Sequence, residues 1–501
     1  MGPIGLRDMR RLCLRTWHTS TSSHRHAGGI THRRRSQIFV RHAHDNQRHR
    51  YKHIPVGGVS KDSPRSPPTT TNMVHLKHGT KTYEFSSMYL RDICSCSRCV
   101  DVSTRQKLFS TVDIPSTIRA KNVTQTSEML DIQWEDDIPG GQYGTDHATR
   151  LSVEKLRAVA HTGSTQIPLP QRVTWDAETF VNDHIDISYE DYMQNDKTLH
   201  LALRQLHSHG LLFLTNVPES AESVSAIVQR IGPLKSTFYG QTWDVRSVPE
   251  AKNVAYTSQD LGFHMDLLYM RQPPHLQALH CIRSSAKGGA SLFADSFRSV
   301  KDMFYQHEEA FDSLTRYLQT FHYDHASHYY KQVKNTIEMK KPRVGRRSVP
   351  SFADMRKFYK ERSKELPLFD FVKAVSWAPP FQGPFEGWDL IHGLGRWQAA
   401  AKVFNALIHR PEGIHERMMK PGECVIFDNR RVLHARTAFE VADAGKERWL
   451  RGAYLDADPY FSRLHTLARQ FGLGSRTTTE SHEHATPSSR SETQTATATV
   501  E

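Results

Sequence analysis

One arrangement constrains this chain more than any other. The segment "GFHMDLLYM" (262–270) carries His264-x-Asp266, and far downstream "VIFDNRRVLHAR" (425–436) ends an apolar run with His434. Arg448 follows in "RWLRGAY" (448–454). Side chains two apart on a strand share a face, so a strand would present His264 and Asp266 together and turn Met265 away. A second histidine from a neighbouring strand completes a 2-His-1-carboxylate triad, which leaves positions on Fe(II) open for a co-substrate and O2. An arginine about one strand later grips a distant carboxylate, such as that of 2-oxoglutarate, through two parallel hydrogen bonds that lysine cannot match.

The tripeptide alone proves little, because His184–Ile185–Asp186 and His322–Tyr323–Asp324 repeat it. Context separates the three copies. His264 precedes an apolar run and the Gly-containing "LQALHCIRSSAKGGASLFADSF", whereas His184 lies in the polar "NDHIDISYEDY" and His322 in the histidine-dense "TFHYDHASHYYK", which lacks a strand pattern. Taken alone, His434 reads as a buried core histidine. Combined with the His-x-Asp and Arg448, it reads as a ligand.

A second cluster, "CSCSRC", places Cys94, Cys96 and Cys99 within six residues. Three thiolates leave one tetrahedral position of a structural zinc to be filled. An odd triplet cannot pair internally as disulfides. Spacing admits either His147 or His161 as the fourth ligand.

The 501 residues exceed one small domain, and the absence of any run of about 18 apolar residues argues against a transmembrane helix. The net charge of +13 suggests nucleic acid until it is located. Residues 1–60 hold eleven Arg and one Lys against only Asp8 and Asp45, so the remainder is close to neutral. That segment is rich in Arg, Ser and Thr, poor in acids, and carries an apolar stripe of Leu6, Met9, Leu12 and Trp17, the composition of a mitochondrial transit peptide. No nucleic-acid partner is expected.

Gly/Pro/Ser/Thr-rich residues 54–73 read as a linker, a Pro-rich passage near 163–175 as a boundary, and 473–501 as a disordered tail. Helical spacing is predicted over 199–210. Strands are predicted at "LLFLTNV", "ECVIFDN" and "RWLRGAYLD", and a solvated helical insert over 301–365.

The motifs "NVAYTSQDLGFHMD", "LQALHCI", "GGASLFADSF", "VIFDNRRVLHAR" and "RWLRGAY", with "MYLRDICSCSRC" upstream, resemble the gamma-butyrobetaine dioxygenase and trimethyllysine dioxygenase family of Fe(II)/2-oxoglutarate oxygenases. The resemblance implies a mainly β fold with flanking helices, a double-stranded β-helix (jelly-roll) core over 166–472, preceded by a zinc-binding domain over 74–165. It implies His264, Asp266 and His434 as iron ligands, Arg448 as the 2-oxoglutarate anchor, and Cys94, Cys96, Cys99 and His147 as zinc ligands. Tyr239, Trp243, Tyr256 and Tyr454 match an aromatic cage for a trimethylammonium group, and Asn253 a contact to the substrate's polar end. Where the family carries an Asn-rich strand, this chain has "VSWAPPFQGPFEG"; Ala378 and Pro379 cannot donate side-chain hydrogen bonds, which leaves Gln382 as the expected replacement.

The implied cofactors are Fe(II), Zn(II), 2-oxoglutarate and ascorbate, and the implied partners are a small trimethylammonium substrate and O2. No membrane partner is expected, and a homodimer is admitted. The implied reaction is hydroxylation of gamma-butyrobetaine to L-carnitine, with trimethyllysine or another betaine-like compound as the alternative substrate. The mitochondrial matrix is the expected location and the cytoplasm the alternative.

Overall fold

The computed structural model describes residues 72–140, 143, 146–163, 169–246, 259–285, 287–340, 351–361, 366–440 and 448–472. Residues 1–60, most of the 54–73 linker, Asn253, Tyr256 and the 473–501 tail lie outside the described residues. The chain divides into two compact units: Met1–His75, Glu84–Val123 and Ile132–Thr149 form one, and Leu76–Tyr83, Thr124–Asp131 and Arg150–Glu501 the other.

In the first unit, "SSMYLRDI" becomes the helix Ser87–Asp92, capped by Ser86, whose hydroxyl accepts from the Tyr89 N–H at 3.2 Å. The helix delivers the chain into the cysteine cluster.

In the second unit, "LHLALRQLHSHG" forms the helix Asp196–His209, opened by Asn195, whose Oδ1 accepts from Lys197 and Thr198 N–H. Gly210 closes it at φ 78, and a Cβ there would come within 3.1 Å of Val432. Glycine is therefore needed both for the left-handed turn and for the close approach. The apolar run that follows forms the buried strand Leu211–Thr215.

Two sheets build the core. The larger runs, in spatial order, Ile187–Ser188, Leu211–Thr215, Glu423–Asp428, Leu276–Arg283, Trp449–Leu455, Thr242–Arg246. The smaller runs Ile414–Arg417, Ser291–Asp295, Val432–Arg436, Leu261–His264. This is the mainly β, double-stranded β-helix architecture with flanking helices that the family resemblance implies.

The turn "DNRR" (428–431) carries the chain from the large sheet to the small one, and its side chains pin both. Arg431 is fully buried and forms two hydrogen bonds to Asp295, at 3.0 and 2.8 Å. Asp295 also accepts from the Trp175 N–H and from the Phe297 N–H at the start of the helix Ser296–Gln306. A pair this buried is held by such surrounding hydrogen bonds, and removing one partner would cost about 3–5 kcal/mol.

Three expectations require correction. The strand Leu261–His264 ends at His264, so Asp266 lies just beyond it rather than on it. Met265 does turn into the apolar core, and its N–H donates to the Trp377 carbonyl. Second, the 301–365 stretch is helical only in part. After the helices Ser296–Gln306 and Glu308–Arg316 the chain forms an antiparallel hairpin, Leu318–His325 with His328–Asn335, because the Tyr- and Val-bearing alternation there favours strand. His322–Asp324 therefore sits on a strand, but with its aspartate exposed. Third, the polar stretch around His184, which the sequence reads as linker-like, is structured: His184 caps the helix Ala177–Asp183, and Arg417 donates to Asp186 at 3.0 and 2.7 Å.

Candidate active site

Antiparallel pairing puts His264 directly opposite His434 in register, with ring centroids 4.0 Å apart. His264 Nδ1 lies 2.9 Å from the Gly262 carbonyl; with the proton on Nδ1 it donates there and leaves Nε2, 3.5 Å from Asp266 Oδ1, free to ligate. Ligand atoms of His264, Asp266 and His434 all lie within 4.8 Å of one another. Burial, reinforced by the facing His264, pushes the His434 pKa well down, so its imidazole stays neutral, the form that binds a metal. Two imidazoles and one carboxylate on one side of a cavity match the donor set of a non-heme Fe(II) site.

Asp266 is held at both ends. Its N–H donates to Asn429 Oδ1 at 2.8 Å, and Asn429 Nδ2 donates back to the Asp266 carbonyl at 3.0 Å and to Pro274 at 3.2 Å. The Tyr454 hydroxyl donates to Asp266 Oδ2 at 2.6 Å. Leu267 follows at φ 58, a left-handed conformation costly for a branched side chain. The clamp thus fixes a carboxylate that the strand no longer positions.

The same three residues line a cavity that opens to solvent; its empty space, counted together with the solvent at its mouth, is about 860 Å³. Arg448 enters it from one end, buried, with Nη2 3.4 Å from the Gly289 carbonyl. Burial, then the neighbouring Arg436, lowers its pKa to about 10, which still leaves it charged at neutral pH. Gly289 (φ 82) makes room for it, since a Cβ there would sit 3.3 Å from the Arg448 side chain.

Tyr239, Trp243 and Tyr454 also line the cavity. The Trp243 and Tyr454 rings stack at 3.9 Å and 23°. Gly452 permits this, because a Cβ there would come within 2.4 Å of the indole.

Sequence reasoning missed Tyr269, Phe381 and Gln277, which line the same space. Tyr269 closes the "GFHMDLLYM" segment, and Gln277 is a lone polar residue in the apolar "LQALHCI"; both were visible signals. The expectation for Gln382 is not met. Its amide donates to Gln319 at 3.1 Å, while Phe381, from the turn Pro379–Phe381, faces the cavity.

In the first unit, Cys94, Cys96 and Cys99 Sγ lie 3.6, 3.5 and 3.3 Å from His147 Nε2. Zinc bonds of roughly 2.3 Å to sulfur and 2.0–2.1 Å to nitrogen give tetrahedral S···N edges of about 3.5 Å, so the four atoms fit that ion. His161 is not among them; its Nε2 lies 3.2 Å from the Tyr83 hydroxyl. His147 Nδ1 meets Asp137 Oδ2 at 2.7 Å, and the buried Arg91 donates to Asp137 at 2.6 Å and to Cys99 at 3.3 Å. A carboxylate behind a metal histidine fixes its tautomer, and the arginine would offset the negative charge that three zinc-bound thiolates carry.

Residues 166–454 match the family described as taurine catabolism dioxygenase TauD, TfdA family, and residues 70–147 match the gamma-butyrobetaine hydroxylase-like N-terminal family. The chain is 32% identical over 412 residues to Dioxygenase str8 of Strobilurus tenacellus, covering 79% of this chain and 88% of that one. It is 28% identical over 392 residues to the gamma-butyrobetaine dioxygenase of Pseudomonas sp. (strain AK-1), covering 77% and 91%. It is 24% identical over 399 residues to the mitochondrial trimethyllysine dioxygenase of Bos taurus, covering 79% and 85%.

Proposed function

This chain belongs to the taurine catabolism dioxygenase TauD, TfdA family of Fe(II)/2-oxoglutarate oxygenases, and from that premise we propose that it hydroxylates a trimethylammonium substrate, in the first place gamma-butyrobetaine to L-carnitine. One observation carries the reading: Tyr239, Trp243 and Tyr454 line the same cavity as His264, Asp266, His434 and Arg448.

In this reading His264, Asp266 and His434 hold Fe(II), and Arg448 holds the far carboxylate of 2-oxoglutarate. Iron with 2-oxoglutarate and O2 supplies oxidative decarboxylation to succinate and CO2, coupled to hydroxylation of a C–H bond. The chain's own contribution is positional. A quaternary cation donates no hydrogen bond but is drawn to aromatic faces, at roughly 0.5–2 kcal/mol per contact. Tyr239, Trp243 and Tyr454, joined by Tyr256, fix that cation and so decide which carbon faces the metal. Asn253 contacts the substrate's polar end. Apolar walls that include Leu279, Phe293 and Leu450 keep water from the reacting centre.

Cys94, Cys96, Cys99 and His147 hold a structural zinc in a domain spanning 74–165, ahead of a catalytic domain spanning 166–472. With four protein ligands, that zinc has no open position for chemistry. Ascorbate keeps the iron reduced, and residues 1–60 direct the chain to the mitochondrial matrix.

Trimethyllysine is the second reading. It is favoured by the Arg-rich, acid-poor residues 1–60 together with the similarity to trimethyllysine dioxygenases named as mitochondrial.

The test is a competition on the full chain with Fe(II), ascorbate, 2-oxoglutarate, and gamma-butyrobetaine and trimethyllysine together, with products followed by mass spectrometry. Carnitine should dominate and disappear in His264→Ala. Succinate formation with neither compound hydroxylated would refute the substrate assignment.

A further inference from the structure

Side chains along the strand Leu276–Arg283 alternate faces, and Gln277 points the way of Leu279 and Cys281. Its neighbours on that inward face of the central strands, Leu279, Val425, Phe427 and Leu450, are apolar. Gln277 is 2% exposed and lines the cavity, yet its Oε1 is buried without a hydrogen-bond partner and its carboxamide bonds to none of the described residues. Only Oε1 is fully enclosed; Nε2 has no partner among the described residues either and keeps access to the cavity that the side chain lines. An unpaired amide donor facing a ligand cavity is matched to an acceptor that the cavity binds.

Its position along the sheet narrows the partner. Gln277 lies in register with Tyr454, whose hydroxyl reaches Asp266. Arg448 stands six residues earlier on the course of that neighbouring strand, about 20 Å away at 3.3–3.4 Å per residue. Gln277 therefore serves the metal-ligand end of the cavity rather than the Arg448 end. A quaternary ammonium offers an amide nothing to bond, whereas a carboxylate accepts from its N–H.

We infer that Gln277 donates through Nε2 to a ligand carboxylate at the metal end of the cavity. That carboxylate belongs either to the keto-acid end of 2-oxoglutarate or to the hydroxylated substrate itself. The inference deepens the proposed function and rests on reading the cavity as the pocket shared by both.

The experiment compares Gln277→Leu and Gln277→Glu with the wild-type full chain. Gln277→Leu removes the donor at similar volume; Gln277→Glu keeps the shape but repels a carboxylate. 2-Oxoglutarate is titrated into the Fe(II)-loaded protein without oxygen, and the KM for gamma-butyrobetaine is measured at saturating 2-oxoglutarate. Iron stoichiometry and thermal midpoint are recorded in parallel.

A rise of about tenfold or more in the 2-oxoglutarate Kd for Leu, larger for Glu, with iron content unchanged, supports the inference and assigns the co-substrate. The same pattern confined to the gamma-butyrobetaine KM supports it and assigns the substrate. Unchanged constants in both variants overturn it. So does a defect in Leu that Glu rescues, which would mean that a side-chain oxygen, not the N–H donor, is what the cavity uses. The oxygen-free titration needs no primary substrate, so an error in the substrate assignment would show separately.

Discussion

The Tyr454 hydroxyl donates a 2.6 Å hydrogen bond to Asp266 Oδ2 while the same ring stacks on Trp243 at 3.9 Å. Burial, then the Asp266 charge, pushes the Tyr454 pKa far up, so the hydroxyl remains a donor at any working pH. One side chain thus joins the candidate metal centre to the aromatic wall. Tyr454→Phe keeps the stack and loses the bond. It should weaken iron retention or kcat/KM by about 10–100-fold, the usual effect of losing a partner behind a metal ligand, with a smaller change in substrate KM. Iron titration beside steady-state kinetics checks the split.

Gly452 is a purely steric requirement, since a Cβ would meet the Trp243 ring at 2.4 Å. Gly452→Ala should displace the indole, destabilising the protein by about 1–3 kcal/mol and raising substrate KM. The 2-oxoglutarate affinity should be spared, because Arg448 lies four residues away, just before the strand Trp449–Leu455 begins. Denaturant melts with KM values for both ligands test it.

The repeated His-x-Asp copies separate by chemistry. Burial alone would raise the Asp186 carboxyl, but hydrogen bonds from His184 and Arg417 outweigh it and hold it below the usual carboxylate range. A lowered folded pKa contributes stability that is fully present above the unfolded value, about 3.9, and is lost as pH falls through the folded one. Asp186→Asn should therefore lower stability at neutral pH, with the deficit shrinking at acid pH, and leave kcat within about twofold. Asp266→Asn should abolish turnover. Melting curves from pH 3 to 7 and one activity assay distinguish the two sites.

Asp137 supports His147 and receives Arg91. Asp137→Asn should speed zinc loss to a chelator by about 10–100-fold, with local unfolding following metal release. Metal analysis against time in chelator measures this directly.

Much of the fold could be read from the chain, because its central strands are continuous apolar runs. "LLFLTNV", "ECVIFDN" and "RWLRGAYLD" became Leu211–Thr215, Glu423–Asp428 and Trp449–Leu455. The hairpin at Leu318–Asn335 was hidden by its charge, which resembles a solvated helix until the Tyr and Val alternation is weighed. The clamp on Asp266 was hidden for another reason. Asn429 and Tyr454 lie 163 and 188 residues away, and local pattern says nothing about which distant side chain reaches a given backbone or carboxylate. Gln382 shows the converse limit: the residue type suited the role, but Gln319 holds its amide and Phe381 takes the wall.

The central claim is that the cavity beside His264, Asp266 and His434 selects a cation through Tyr239, Trp243 and Tyr454. The direct measurement is the ratio of kcat/KM for gamma-butyrobetaine to that for its neutral isostere, with a quaternary carbon in place of nitrogen. Shape and length match, so only charge differs. Three aromatic contacts at roughly 0.5–2 kcal/mol each predict a preference for the cation of about tenfold or more. Equal kcat/KM for the two compounds would contradict the account.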